Sequence, residues 1–153
     1  MSRRSRTVNL SERVPGRLEA MFDPDGSLTL EGQALGSSGA DYEYWFTFEV
    51  ANIDRLFARL LETSFPTLAE ALEWVNGQRI GKMTVEQLGR GHHSPTSTRY
   101  GRSLLAAIPS DRHTPLLLVL LRESFTTGPF HNSTAFRDWL ELRHVPFKFS
   151  NYF

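Results

Sequence analysis

An α+β domain built on a mainly antiparallel sheet, with helices packed on one face, is the fold this sequence predicts, and three observations predict it. The turn-forming run Asp23-Pro-Asp-Gly26 separates two short β-prone segments. Residues 41–50 alternate with period two, and the ten that follow repeat apolar side chains at helical spacing. A helical pattern near the C-terminus then leads into Val145-Pro-Phe-Lys-Phe149, which reads as a returning strand.

Taken in order, Met1-Ser-Arg-Arg-Ser-Arg-Thr7 is basic with no apolar stretch behind it, so it is not expected to be a secretory signal, and residues 1–12 read as a flexible polar tail. Arg17–Phe22 and Ser27–Gly32 flank the Asp23–Gly26 turn. Its proline presets a turn dihedral and its glycine accepts positive φ, which makes the unit a β-hairpin. Gly36-Ser-Ser-Gly39 connects to the third strand, 41–50. There Tyr42, Tyr44, Phe46, Phe48 and Val50 share one face, expected to be core, while Glu43, Trp45, Thr47 and Glu49 share the other.

Asn52 has the chemistry of an N-cap, with Asp54 near the positive end of the helix, and Ile53, Leu56, Phe57, Leu60 and Leu61 form the apolar stripe. Phe65-Pro66 ends that helix. Thr67-Leu-Ala-Glu70 is a capping-box pattern for the next, with Gly77 as its stop, and Thr84 begins a weaker signal for a short third. From Gly89 to Arg112 periodicity fades, so residues 64–113 are expected as a loop-rich insertion, with Tyr100–Ile108 readable as strand or helix. Thr114-Pro115 opens a helix through Phe125. Ser133 caps a last one running to about His144, with Phe136, Trp139 and Leu140 inward, and Pro146 confines the final strand, 145–149, to an edge or a strand start.

With 153 residues and 40% apolar content, the chain is long enough for one domain, 1–153, with its own core. Balanced charge, 17 basic against 17 acidic residues, argues against a nucleic-acid binder that relies on a positive field. The absence of cysteine excludes disulfides, thiolate catalysis and Cys-based zinc sites, and is compatible with a cytoplasmic location. Pro115–Leu121 is the longest strongly apolar run, far below the roughly 20 residues of a membrane span.

Tyr42-Glu-Tyr-Trp-Phe-Thr-Phe48 with its helix, and Phe136-Arg-Asp-Trp-Leu-Glu-Leu-Arg-His-Val-Pro-Phe-Lys-Phe-Ser-Asn-Tyr152, resemble small bacterial α+β proteins of the toxin-immunity or accessory type. The resemblance rests on packing residues and covers about half the chain. It implies a protein partner, such as a toxin, and implies no catalytic residue.

Among groups that could carry chemistry, Arg90, His92 and His93, with Arg99 and the nearby Tyr100 and Arg102, could supply an acid, a base and a phosphate clamp. A small phosphoester-processing enzyme or nucleotide binder is therefore the alternative reading. Gly89-Arg-Gly-His-His-Ser94 approximates a dinucleotide loop but lacks its third glycine, and Pro95 opposes the helix start such a loop needs, so no cofactor is expected. His113, His131 and His144 have no i, i+4 partner for a metal, and Ser37, Ser38 and Ser94 lack a nucleophile-elbow setting. Trp45 sits between Glu43 and Thr47, with Glu49 beyond. Burial beneath residues 64–113 is its expected fate, and an exposed interface anchor is the alternative. The leading functional expectation is a non-catalytic, toxin-neutralising binding protein, with Trp45, Glu43, Glu49, Arg99 and Tyr100 as candidate partner-binding residues. A homodimer formed through the open edge at Val145–Phe149 is a third.

Overall fold

The computed structural model describes residues 7–10, 16–35, 41–78 and 98–152. The expectations for Ser37, Ser38, the helix at Thr84, the Gly89–Ser94 loop and its Arg90, His92 and His93 fall outside these residues, as does the side chain of Tyr42. Strands β1 (Thr7–Asn9), β2 (Arg17–Phe22), β3 (Leu28–Leu35), β4 (Asp41–Phe48) and β5 (Lys148–Tyr152) form one open antiparallel sheet in the order β1-β2-β3-β4-β5. The helices are α1 (Val50–Ser64), α2 (Leu68–Gly77), α3 (Gly101–Ala107), α4 (His113–Thr126) and α5 (Ser133–Leu142), and the fold is α+β as expected. The chain divides into two compact units, one of Met1–Ile53 and Leu121–Phe153, the other of Asp54–Leu120.

In the first unit, the β2–β3 hairpin closes where the Gly26 amide donates to the Asp23 carbonyl at 2.8 Å, with Gly26 at φ +94°. The Ser27 hydroxyl and amide donate to the Asp25 carboxylate and hold it below the usual carboxylate range. Thr7–Asn9, read from sequence as part of a polar tail, instead pairs with β2 along Glu19–Met21. Three residues are too few to show a period, and their pairing is set by the neighbouring strand.

One sheet face is core. Leu18, Ala20, Leu28, Leu30, Tyr44, Phe46 and Phe48 are all buried along it. Helix α5 covers part of this face with Phe136, whose ring lies 5.2 Å from Phe46 and 6.2 Å from Phe48, while Phe125 and Phe130 pack on Phe136 at 5.2 and 4.9 Å. Phe136, Trp139 and Leu140 are buried as the spacing predicts.

Several boundaries differ from expectation. Helix α1 starts at Val50, because the Asn52 amide already donates to the Glu49 carbonyl at 2.8 Å; Asn52 lies inside the first turn and Val50, placed by alternation in the core, is 58% exposed. Asn132, not Ser133, caps α5, its Oδ1 accepting from the Ala135 amide at 2.8 Å. A 3-10 turn at Ser110–Arg112 feeds directly into α4, so that helix begins at His113 with Pro115 in its first turn, where the missing N–H costs nothing.

The final strand is shifted as well. His144 adopts φ 57°, the Val145 amide donates to the Leu140 carbonyl at 3.0 Å and the His144 amide to Glu141 at 3.2 Å, which is a Schellman close. Val145 thereby spends its donor on the helix and Pro146 has none, so ladder pairing starts at Lys148 rather than Val145. As expected of a strand after Pro146, β5 is at the edge.

The second unit contains helices within the stretch expected to be loop-rich. In α2 the predicted capping box is present, Thr67 Oγ1 accepting from the Glu70 amide while the Glu70 carboxylate accepts from the Thr67 amide at 3.2 Å; Gly77 is the last helical residue. Tyr100–Ile108 resolves as helix. Gly101 brings the start of α3 so close to α1 that an added Cβ would stand 2.7 Å from the Ala58 carbonyl oxygen, and its amide donates to Glu62 Oε2 at 2.8 Å. His113 Nε2 donates to the carbonyls of Leu105 and Ile108 at 2.9 and 3.1 Å, and so ties the end of α3 to the start of α4.

Candidate interaction face

Strand alternation that buries Leu18, Leu30, Tyr44 and Phe46 sends their neighbours to the opposite face of the sheet. Register then sets those neighbours in rows. Glu19 pairs with Glu31, Glu31 with Trp45, and Trp45 with Ser150; a second row holds Arg17, Gln33 and Glu43, and a third Met21, Thr29, Thr47 and Lys148. None of these residues is buried. Trp45 is therefore partly exposed among polar neighbours.

Charge on this face is unevenly matched. Arg17 pairs with Glu19 at 3.0 Å, and Lys148 with Glu49 at 3.2 Å at the end of β4. Among the described residues, Glu31 and Glu43 have no ion-pair partner. Glu19 and Glu31 are also direct cross-strand partners, a like-charge pairing that costs sheet stability. Glu31 lies directly across from Trp45 and Glu43 two residues before it on the same side, so two carboxylates without an ion-pair partner among the described residues flank one indole. Ser150 is its partner on the other side.

The remaining candidates are scattered. Tyr100, proposed from sequence to meet a partner, is 0% exposed, and its hydroxyl is directed at the carbonyls of Leu61, at 2.8 Å, and Phe65. It is a structural residue. Burial, with the charges of Glu62 and Glu70, pushes its phenol well above the ordinary value. Arg99 and Arg102 are exposed. His113 is committed to α3 carbonyls, His144 to the close of α5, and His131 is exposed on the connection before α5. Among the described residues no three His, Asp or Glu side chains are grouped to hold a metal. An open cleft lined by Phe65, Glu70, Glu73, Trp74, Gly77 and Gln78 lies beside α2.

Glu19 and Glu31 were not singled out from sequence. Alternation in the hairpin does place them opposite Leu18 and Leu30, but the cross-strand register that aligns them with Trp45 depends on how β3 meets β4. Comparison with protein-family models, with curated proteins and with solved structures gave no match. No single helix among the described residues is long and apolar enough to cross a membrane.

Proposed function

We propose that this chain is a non-catalytic binding protein that docks a protein partner on the open face of its sheet, with Trp45 as the anchor. One observation carries the reading: a partly exposed indole on β4, flanked by Glu31 and Glu43, which have no ion-pair partner among the described residues. Aromatic anchors of this kind dominate interface energetics because they bury a large area at little conformational cost. The specific form of the proposal is a cytoplasmic bacterial immunity protein that neutralises a toxin by covering part of its surface, which is what the resemblance of residues 42–48 and 136–152 suggests.

The test is capture from extract of the native host by the immobilised chain, identification of the bound protein, and repetition with Trp45→Ala. Leu142→Ala serves as control, since Leu142 is exposed on α5, away from the sheet's polar rows. Trp45→Ala, with its thermal unfolding unchanged, is expected to lose the partner while Leu142→Ala keeps it. Equal capture by both variants overturns the proposal. For the toxin-neutralising form, co-expression of the captured protein should arrest growth unless the wild-type chain is present, and growth arrest that wild type fails to relieve overturns that form.

A further inference from the structure

We infer that the partner surface is basic, and that it places an arginine or lysine side chain on the Trp45 indole between Glu31 and Glu43; this deepens the docking reading above and rests on it. The face of an indole ring carries negative potential and attracts a cation. Here that ring has a carboxylate directly across the strand pair and another two residues along its own strand, each without an ion-pair partner among the described residues. A guanidinium or ammonium brought to this point meets the ring and both carboxylates together.

The arrangement has a cost to the sheet. Glu19 opposes Glu31 directly, and although Arg17 offsets Glu19, nothing among the described residues offsets Glu31. A basic partner relieves that repulsion on binding. Charge also decides against another occupant. In a two-fold dimer whose axis passes through this patch, Glu31 and Glu43 of one copy would stand near those of the other. An acidic or phosphorylated partner fails for the same reason.

The full chain carries no formal net charge, so a polycation has little global attraction to it and binding reports on local surface. The probe is a nine-residue oligoarginine peptide, with a nona-glutamate peptide as control, titrated into the isotopically labelled full chain at moderate salt. Expected are amide shifts concentrated on β2, β3 and β4 around Glu19, Glu31, Glu43 and Trp45, no response to the acidic peptide, and about tenfold weaker binding by the Glu31→Gln/Glu43→Gln variant. Shifts centred elsewhere, or equal binding by the double variant, overturn the inference.

The same double variant, used in partner capture, separates the two proposals. Capture that is lost with Trp45→Ala but unchanged with Glu31→Gln/Glu43→Gln keeps the docking face and overturns its basic partner. Capture indifferent to Trp45→Ala overturns both. Loss with either variant, together with weakening as salt rises, supports both.

Discussion

The ring of Tyr44 lies across Gly32, its partner in the β3–β4 ladder, so closely that a Cβ on Gly32 would stand 2.1 Å from Tyr44 Cζ. This contact does more than fill the core. Side chains alternate along both strands, so a register that seats Tyr44 over Gly32 on the dry face also places Glu31 and Trp45 opposite each other on the wet one. A one-residue slip of β4 against β3 would bury Trp45 and expose Tyr44.

Gly32→Ala should therefore destabilise the protein by about 1–3 kcal/mol, because Tyr44 is buried and has nowhere to swing. Urea denaturation measures this. In a Tyr44→Leu background the same substitution should cost distinctly less, since the clashing ring is gone and the two changes are coupled. Equal costs in both backgrounds would show that the ring does not set the penalty.

At the other end of the same unit, His144 holds φ 57° to complete the close of α5, in a region that costs a non-glycine residue about 1–2 kcal/mol. The hydrogen bonds of that close come from the backbone of His144 and Val145, and the imidazole is exposed. His144→Gly should stabilise the protein by about 0.5–1 kcal/mol, the relief of strain being partly offset by greater freedom of glycine in the unfolded chain. A rise in Tm is the expected readout. A fall would mean that the imidazole makes a stabilising contact of its own.

These two positions show which parts of the fold were legible. The Asp23–Gly26 turn and the Thr67–Glu70 capping box announce themselves because the residue types that satisfy them are few and local. Gly32 under Tyr44 is invisible until β3 is aligned with β4, and the left-handed His144 is hidden because glycine usually marks that position; Pro146 is its only local sign. Asn52 misled for a related reason, since an asparagine suited to capping is also tolerated in a first turn. The polar face of β4 was legible in its alternation. Part of the stretch 64–113 satisfies itself: Tyr100 binds the Leu61 and Phe65 carbonyls, Gly101 abuts Ala58, and His113 closes on Leu105 and Ile108.

Tyr100 supplies a pH-dependent prediction. Its phenol titrates above the ordinary value of 10.0 because burial and the nearby Glu62 and Glu70 disfavour the phenolate. A folded pKa raised above the unfolded one means that the fold binds the proton more tightly, so the stabilisation is fully present below pH 10 and is lost as pH rises beyond it. Tyr100→Phe should cost about 1–2 kcal/mol at pH 7, through the lost hydrogen bond and the unsatisfied carbonyls. It should also flatten the decline of stability between pH 10 and 11.5 relative to wild type. Parallel pH profiles for the two proteins would count against a buried, protonated phenol.

The two histidines at 92 and 93 divide the functional readings most sharply, because the enzymatic alternative needs them and the docking face does not. A partner held by Trp45, Glu31 and Glu43 on the sheet gains nothing from an imidazole acid and base, whereas phosphoester chemistry built on His92, His93, Arg90 and Arg99 would lose its proton transfers, a step that typically contributes 10²–10⁴-fold in rate. His92→Ala/His93→Ala is thus expected to leave partner capture within about twofold of wild type, where Trp45→Ala abolishes it. The comparison is made on variants with matched thermal unfolding, so that a folding defect cannot imitate a functional one. Loss of capture in a well-folded double-histidine variant would move the binding site off the sheet, and an activity towards phosphoesters that vanishes in that variant would replace the docking reading with the catalytic one.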